Sequence, residues 1–198
     1  MNEELRAELL GMAQEDSRVR SQLASNGSLF DGYHPRMQEV HESNARRLEE
    51  LIVRHGWPGH ALAGEEGAKA AWMIVQHTIG QPEFQRRCLR LLQDAAIENE
   101  VPPWQPAYLL DRIRIFEGKL QVYGTQFDPD EHGVMSPCPV EDAMGLNSRR
   151  ASIGLDSIEE RTEMMREQAK GERERSPSDR AEHQRKYHEW LKQIGWRD

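Results

Sequence analysis

The sequence predicts a mainly α-helical single domain with a small β-hairpin near residues 120–140 and a charged, helical C-terminal extension. Three observations support this prediction. Up to Gly118, apolar residues recur at helical spacing, and glycine and proline separate the resulting segments. From Leu120 onward the composition changes to residues typical of strands. We expect a helical core domain over residues 1–158, hairpin included, and an extension over residues 159–198.

Two amphipathic helices open the chain. The first, from Glu3 to about Ala24, has one apolar stripe at spacings of three, four and seven: Leu5, Leu9, Met12, Val19 and Leu23. Turn-forming residues then predict a loop over residues 25–36. The second helix, from Met37 to about His55, ends where Gly56 and Pro58 follow it. Its stripe consists of Val40, Leu48, Leu51 and Ile52.

Three further helices complete the predicted core. The third, Glu65 to Ile79, begins with acidic residues that suit the positive end of a helix dipole and then becomes apolar on most sides. We therefore expect it at the centre of the bundle. A fourth helix follows in PEFQRRCLRLLQDAAIE, and a fifth runs from near Trp104 to Gly118 after a double proline.

The segment LQVYGTQFD predicts a strand, PDEHG a turn, and VMSPCPV an edge strand interrupted by prolines. In a strand, Gln121, Tyr123 and Thr125 would lie on one face, and Val122, Gly124 and Gln126 on the other. Helices are then predicted over residues 147–153, from 157 to about 175, and over 176–195.

The charged C-terminal helices have two interpretations. One is a solvated extension that packs only through its final turns. The other is a docking or homodimerisation helix, because Trp190 and Trp196 are costly to leave exposed to water.

Composition argues against several classes of function. The formal net charge of -8 disfavours nucleic acid and anionic membranes as partners, since phosphate binding needs clustered Lys and Arg. The two cysteines form no CxxC pair, so neither a disulfide framework nor a thiolate zinc site is indicated. The acidic N-terminus does not resemble a signal peptide, and no apolar run is long enough to span a bilayer. We expect a reduced, cytoplasmic setting.

His77 is the predicted general acid or base, because it ends the most apolar helix at the edge of the core, where a histidine can titrate near neutrality. The structural alternative is a buried histidine bonded to a backbone carbonyl. His41 and Asn44 share a face of the second helix, which is also compatible with an ordinary polar surface. No zinc motif is present, so no metal is predicted; if one binds, the ligand set is His41, His77 and an acid.

The predicted hairpin carries amide and hydroxyl side chains suited to a polar ligand, although a hairpin with a wet face explains them equally well. Asp111 and Arg112, inside an apolar helix, favour a structural ion pair or capping network over a catalytic pair. Nucleophile elbows, phosphate-cradling loops and dinucleotide fingerprints are absent from the sequence, and no particular cofactor is indicated.

Five segments together resemble an uncharacterised bacterial family, the domain of unknown function 6624, over about residues 32–155. The segments are GYHPRMQEVHESNARRL, HGWPGHALAGEEGAKAAWMIVQH, PEFQRRCLRLL, AYLLDRIRIFEGKLQVYGTQF and PVEDAMGLNSRRASIGL. The resemblance implies no activity. It implies that these positions match the family pattern: Gln76, His77, Asp111, Arg112, Gln121, Tyr123, Gly124, Gln126, Glu141, Asp142, Arg149 and Arg150.

The leading hypothesis is an enzyme or binding domain for a polar small molecule, with His77 as general acid or base. The predicted ligand-binding residues are Gln76, Gln121, Tyr123, Gln126, Asp111, Arg112, Arg149 and Arg150, with Arg149 or Arg150 meeting a carboxylate. The alternative is a non-enzymatic interaction or dimerisation module that uses the C-terminal helix.

Overall fold

A computed structural model describes residues 1–30, 32–170 and 180–197. It confirms a mainly helical domain with one small hairpin. None of the helices in these three ranges combines the length and the apolar character needed to span a bilayer.

Three helices form the frame of the domain: α1 (Glu3–Ser25), α2 (Pro35–His55) and α3 (His60–His77). The Asn2 side chain caps α1 by accepting the Leu5 N–H, and Pro35 opens α2 with its φ already suited to a helix. Both α1 and α2 pack against α3, which is central as predicted. Their interface is apolar and includes Leu9, Leu48, Ala71 and Ile74.

The third helix begins earlier than predicted. It starts at His60, and Gly64 interrupts it with φ 69° and ψ 169° before the regular part continues from Glu65. The acids at its predicted start therefore follow a glycine kink, and a short extra turn precedes them. Only glycine enters this left-handed region without strain.

Helices α4 (Pro82–Ile97) and α5 (Trp104–Phe116) pair with each other, and α4 also contacts α3. Phe84, Cys88 and Leu92 of α4 and Leu109 and Ile113 of α5 are buried in the same core as the first three helices. One continuous core thus joins all five predicted helices.

The hairpin is shorter and later than the sequence predicts. Strands β1 (Phe127–Pro129) and β2 (Met135–Pro137) pair antiparallel, with Asp128 opposite Ser136. The predicted strand over residues 120–128 is wrong for residues 120–126: apart from an isolated bridge between Gln121 and Val140, this part is a loop. The N–H groups of Val122, Tyr123 and Thr125 bond to a side chain of α5, whereas the Gln121 N–H bonds to the Pro139 carbonyl.

Three helices follow: α6 (Leu146–Ser152), α7 (Ile158–Lys170) and α8 (Arg180–Gln193). The predicted start of the last helix at Ser176 lies outside the described residues. Helix α7 has no buried residue and contacts β2 and α6, whereas α8 packs on the core.

The C-terminal tryptophans are packed within the chain. Trp196 is 3% exposed, lies 5.1 Å from the Phe116 ring, and donates its indole N–H to the Ile79 carbonyl. Leu191 is fully buried, and Trp190 packs against the same core. The premise of the dimerisation hypothesis, that these rings are exposed, does not hold. Dimerisation itself stays a prediction.

Candidate functional site

Three chemically active side chains meet where α1, α2 and α3 come together: Asp16, His41 and His77. Each has one nitrogen or oxygen atom that is able to coordinate a metal ion, and these three atoms all lie within 4.8 Å of one another. Asp16 is 3% exposed and His41 8%, while His77, the last residue of α3, is partly exposed. We call this cluster the carboxylate–histidine centre.

Asp16 is the hub of the centre. His77 Nδ1 lies 3.0 Å from each of its carboxylate oxygens, and His41 Nε2 lies 3.3 Å from Oδ2. His41 Nε2 is buried, and its contact with Asp16 is not aligned as a hydrogen bond. This atom therefore has no hydrogen-bond partner among the described residues. Buried polar atoms are rarely left in this state, so His41 Nε2 is a group that a ligand can satisfy.

Electrostatics keep Asp16 ionised. Burial raises the pKa of Asp16, but the contacts and charges of His41 and His77 outweigh burial and hold that pKa well below its usual range. A permanent carboxylate therefore lies between two imidazoles in the interior of the protein.

Tyr33 positions the second histidine from the loop before α2. Its hydroxyl lies 2.7 Å from His41 Nδ1, and the two rings stack with centroids 5.6 Å apart. Burial, then the charges of Glu42 and Asp16, raise the pKa of Tyr33 far above its usual range, so the phenol stays protonated. Trp190 of α8 packs edge-on against Tyr33 at 5.4 Å, which covers this side of the centre.

Asn44, the predicted companion of His41, has a different role. It is 7% exposed, and its amide approaches the Met12 carbonyl of α1 at 3.4 Å. The polar face predicted for α2 is thus turned toward α1 and not toward solvent.

Gln76 and Arg112 form a second polar group beside His77. Arg112 of α5 donates from Nη1 to the Gln76 carbonyl at 3.1 Å. The Gln76 side chain is 4% exposed, and both its Nε2 and the Arg112 Nε are buried without a hydrogen-bond partner among the described residues. Burial lowers the pKa of Arg112 to about 10.

Asp111, the neighbour of Arg112, organises the loop that follows α5. Its fully buried carboxylate accepts the N–H groups of Val122, Tyr123 and Thr125 and the Thr125 hydroxyl, at 2.7 to 3.1 Å. This agrees with the capping network favoured from the sequence. Because three N–H groups of this segment bond to Asp111, they are not available to pair with a neighbouring strand.

The two predicted glutamines stabilise the same loop. Gln121 is fully buried; it donates to the carbonyls of Gln126 and Cys138 and accepts the Gln126 N–H. The Gln126 amide donates to the Thr125 hydroxyl. In the described contacts, this loop reaches the carboxylate–histidine centre only indirectly, through the neighbouring residues Asp111 and Arg112 of α5.

Arg149 and Arg150 of α6 also bind the loop. Arg149 donates to the Val122 carbonyl and pairs with Asp142. Arg150 is 1% exposed; it donates to the carbonyls of Tyr123 and Gly124 and pairs with Asp156. Ligand binding by either arginine stays a prediction, and their guanidinium groups are already occupied by contacts within the chain.

Of the four side chains at the centre, His77 and His41 are predicted from the sequence, whereas Asp16 and Tyr33 are not. A signal for Asp16 was present: it continues the α1 stripe, four residues after Met12 and three before Val19. Charged residues seldom occupy such a position unless they are paired. A shallow groove between α1 and α3, lined by residues such as Leu10, Lys69 and Met73, is separate from the centre.

Comparison with known proteins adds the family. No curated protein and no solved structure matches the chain. The model of one family, described as a family of unknown function (DUF6624), matches residues 3–173. The match begins earlier than the resemblance over residues 32–155 suggested, so it includes Asp16, and it ends before α8. The chain therefore belongs to the family of unknown function DUF6624.

Proposed function

We propose that the domain binds a divalent transition-metal ion through Asp16, His41 and His77 and uses it to bind or transform a polar small molecule. One observation carries this proposal: three ligand atoms from three helices lie within 4.8 Å of one another. The sequence left the acid of such a set unnamed, and Asp16 supplies it.

The donor set suits a transition metal. Imidazole nitrogens favour zinc, iron, nickel and copper, and a carboxylate completes a set of two histidines and one acid. Ligands about 2.1 Å from an ion lie roughly 3–3.5 Å from each other. The distances of 3.0 and 3.3 Å from Asp16 to the two rings are in this range. An ion would also satisfy the unpartnered His41 Nε2.

Tyr33 supports this use of His41. Metal-binding histidines generally donate their other ring N–H to a nearby oxygen, which fixes the tautomer. The Tyr33 hydroxyl oxygen, 2.7 Å from His41 Nδ1, is placed to accept such a bond and leave Nε2 for the ion.

Three protein ligands leave coordination positions open. A bound ion would lower the pKa of a coordinated water molecule and would polarise an oxygen of a substrate. Because His77 is partly exposed at the end of α3, the centre is open to solvent on this side. Hydrolysis of a polar small molecule is one reaction class that such an ion would support.

Metal titration of the chelator-treated protein tests the proposal. At 100 times the dissociation constant, a bound ion stabilises the fold by about 2.7 kcal/mol, which raises Tm by roughly 5–10 °C for a chain of this size. We expect zinc or nickel to produce this shift, and Asp16→Asn, His41→Gln or His77→Ala to abolish it.

His60 provides the matched control. It is an exposed histidine whose ring lies 3.8 Å from the Glu100 carboxylate, so His60→Ala also removes a histidine beside an acid. This variant should respond to metal like the wild type. A wild-type protein with neither stoichiometric metal nor a metal-dependent Tm shift would refute the proposal.

A second candidate function follows from the 3.0 Å contact between His77 Nδ1 and Asp16. Without a metal, Asp16 would accept the Nδ1–H and leave Nε2 as a general base, which is the role predicted from the sequence. In that case nitrogen NMR of the metal-free protein should detect the Nδ1–H tautomer of neutral His77, and Asp16→Asn should produce a mixture. Stoichiometric metal bound by His77 would exclude this candidate.

A further inference from the structure

Arg112 is half-buried but lacks the ion pair that most buried or half-buried arginines of the fold form; among the described residues, Arg197, which bonds to the carbonyls of Ile115 and Phe116, also lacks one. Arg86 pairs with Glu83 and Glu117, and Arg150 pairs with Asp156. In the part of the chain that the structure describes, no carboxylate forms an ion pair with Arg112; its single hydrogen bond goes to the Gln76 carbonyl. A cation withdrawn from water without a counter-charge is costly, so proteins seldom keep one without a use.

The surroundings of Arg112 make its charge more costly. Burial has the largest effect and lowers its pKa; Tyr187 raises the pKa, and the charge of Arg20 on α1, the smallest of the three effects, lowers it. For Arg86, by contrast, burial is outweighed by two glutamates, and the pKa is raised. Among the described residues, no carboxylate offsets this cost of burial for Arg112.

Two hydrogen-bond donors are also unused there. Arg112 Nε and Gln76 Nε2 are both buried, and neither has a partner among the described residues. Gln76 is 4% exposed, so its side-chain Nε2 is a buried donor that makes no hydrogen bond to a described residue. An arginine and an amide donor together suit an oxyanion, which accepts several hydrogen bonds at once.

Capping of α3 explains only part of this arrangement. The last carbonyls of a helix have no partner within the helix, and Arg112 bonds to the one on Gln76, as Gln85 bonds to the one on Val75. This role uses one of the five guanidinium N–H groups. Capping does not require that Arg112 lack a counter-ion, nor that the Gln76 side-chain amide lack a hydrogen-bond partner.

We propose that Arg112 and Gln76 bind the carboxylate or phosphate group of an anionic small-molecule substrate. This inference rests on the proposed function, because it names the substrate class of the same site. Gln76 directly precedes His77, and Arg20, on the other side, lies one turn after Asp16. An anionic group held by Arg112 and Gln76 would be bound one residue along α3 from His77 of the carboxylate–histidine centre.

The two neighbouring residues Asp111 and Arg112 of α5 have different partners. Asp111 fixes the loop over residues 122–125 while Arg112 turns toward Gln76. From the sequence, Arg149 or Arg150 is predicted to bind a ligand carboxylate. In the structure, Arg149 pairs with Asp142 and Arg150 pairs with Asp156. Arg112, by contrast, makes a single hydrogen bond among the described residues and has donors left for a ligand.

Anion titration of the chelator-treated protein tests this inference. Inorganic phosphate and acetate are added separately at constant ionic strength, with chloride making up the difference, and Tm is measured. We expect a saturable rise in Tm with at least one of them, and no rise for Arg112→Met. The anion with the lower half-saturation concentration identifies the group, phosphate or carboxylate. Arg112→Lys, which keeps the charge but loses the planar fork, should weaken binding at least tenfold.

Arg114→Met is the matched control, since Arg114 lies on the same helix and is half-buried but pairs with Glu141. It removes the same charge and should leave the titration unchanged. Equal shifts in wild type and Arg112→Met, or no saturable shift in wild type with either anion, would overturn the inference. If Arg112→Met does not fold, the tenfold loss expected for Arg112→Lys decides.

Failure of the metal proposal would remain distinguishable. Because the anion titration is done without metal, Asp16→Asn should retain the phosphate or acetate shift, and Arg112→Met should retain the metal shift. If the protein binds the anion but no metal ion, the metal proposal is refuted and the Arg112 site stands. If it binds a metal ion but neither anion, only the Arg112 site is refuted.

Discussion

At the scale of single residues, the chain keeps polar groups in positions where a helical core would ordinarily take apolar ones. Asp16 lies within the apolar stripe of α1, and His41 and Asn44 lie four and seven residues after the buried Met37 of α2. Each is buried and each contacts a polar partner on another helix. Such substitutions reduce the apolar area buried between α1 and α2, which is a cost that a functional site can explain.

The pH dependence of folding stability tests the environment of Asp16. Burial raises its pKa, but His41 and His77 hold it well below the usual range. A depressed pKa in the folded state gives stability that is present above the unfolded pKa, about 3.9, and lost as the pH falls toward the folded value. In chelator, we expect Asp16→Asn to cost about 2 kcal/mol at pH 5–7, and the difference to shrink below about pH 4.

Urea unfolding at pH 7, 5, 4 and 3 measures this difference. Asp94→Asn, which changes an exposed acid of α4, serves as control and should stay within about 0.5 kcal/mol of wild type. A difference between wild type and Asp16→Asn that stays constant from pH 7 to 3 would contradict the assignment.

At the scale of elements, the helices could be predicted and the loop after α5 could not. The stripes of α1 and α2 report a local periodicity, and proline and glycine mark the helix ends, so the sequence itself contains the information. Residues 122–125 also have strand-like composition, but the Asp111 carboxylate takes three of their N–H groups. That contact lies 11 to 14 positions away in sequence, beyond any local pattern.

The same limit applies to the candidate site. His77 could be found because it ends an apolar helix, whereas its partner Asp16 is 61 positions earlier and is brought to it only by the packing of α1 on α3. Tyr33 lies in a loop with no periodicity. For Asp16, the one local sign was a charged residue within an apolar stripe.

Replacing Asp111 should release the loop it holds. Asp111→Ala leaves the N–H groups of Val122, Tyr123 and Thr125 without their acceptor, and we expect a loss of about 3 kcal/mol in the free energy of unfolding. Hydrogen exchange should accelerate at these amides first. Asp130→Ala removes a half-buried carboxylate bonded to two N–H groups of its own turn and to the Ser136 hydroxyl, and it should leave exchange at the three loop amides unchanged. Unchanged exchange at the three amides in Asp111→Ala would refute the role of Asp111.

At the scale of the whole molecule, α8 connects the end of the chain to the candidate centre. Its buried Leu191, with Trp196 just beyond it, anchors the segment to the core, and Trp190 packs against Tyr33. The family match ends at residue 173, so this helix lies outside the part of the chain that defines the family. The centre of this chain is thus covered by an element that the family pattern does not specify.

Metal affinity should therefore depend on α8. Trp190 packs against Tyr33, and Tyr33 bonds to His41, so loss of the indole frees the phenol that orients the ligand. Partners of metal-binding histidines typically contribute about 10- to 100-fold in affinity. We expect Tyr33→Phe to weaken zinc binding within this range and Trp190→Ala by about tenfold, measured by competition with a chelating dye. Trp104→Ala removes an indole that packs against Trp72 instead and should leave the affinity unchanged. If both Tyr33→Phe and Trp190→Ala bind zinc like the wild type, α8 does not support the centre, and its packing on the core serves stability alone.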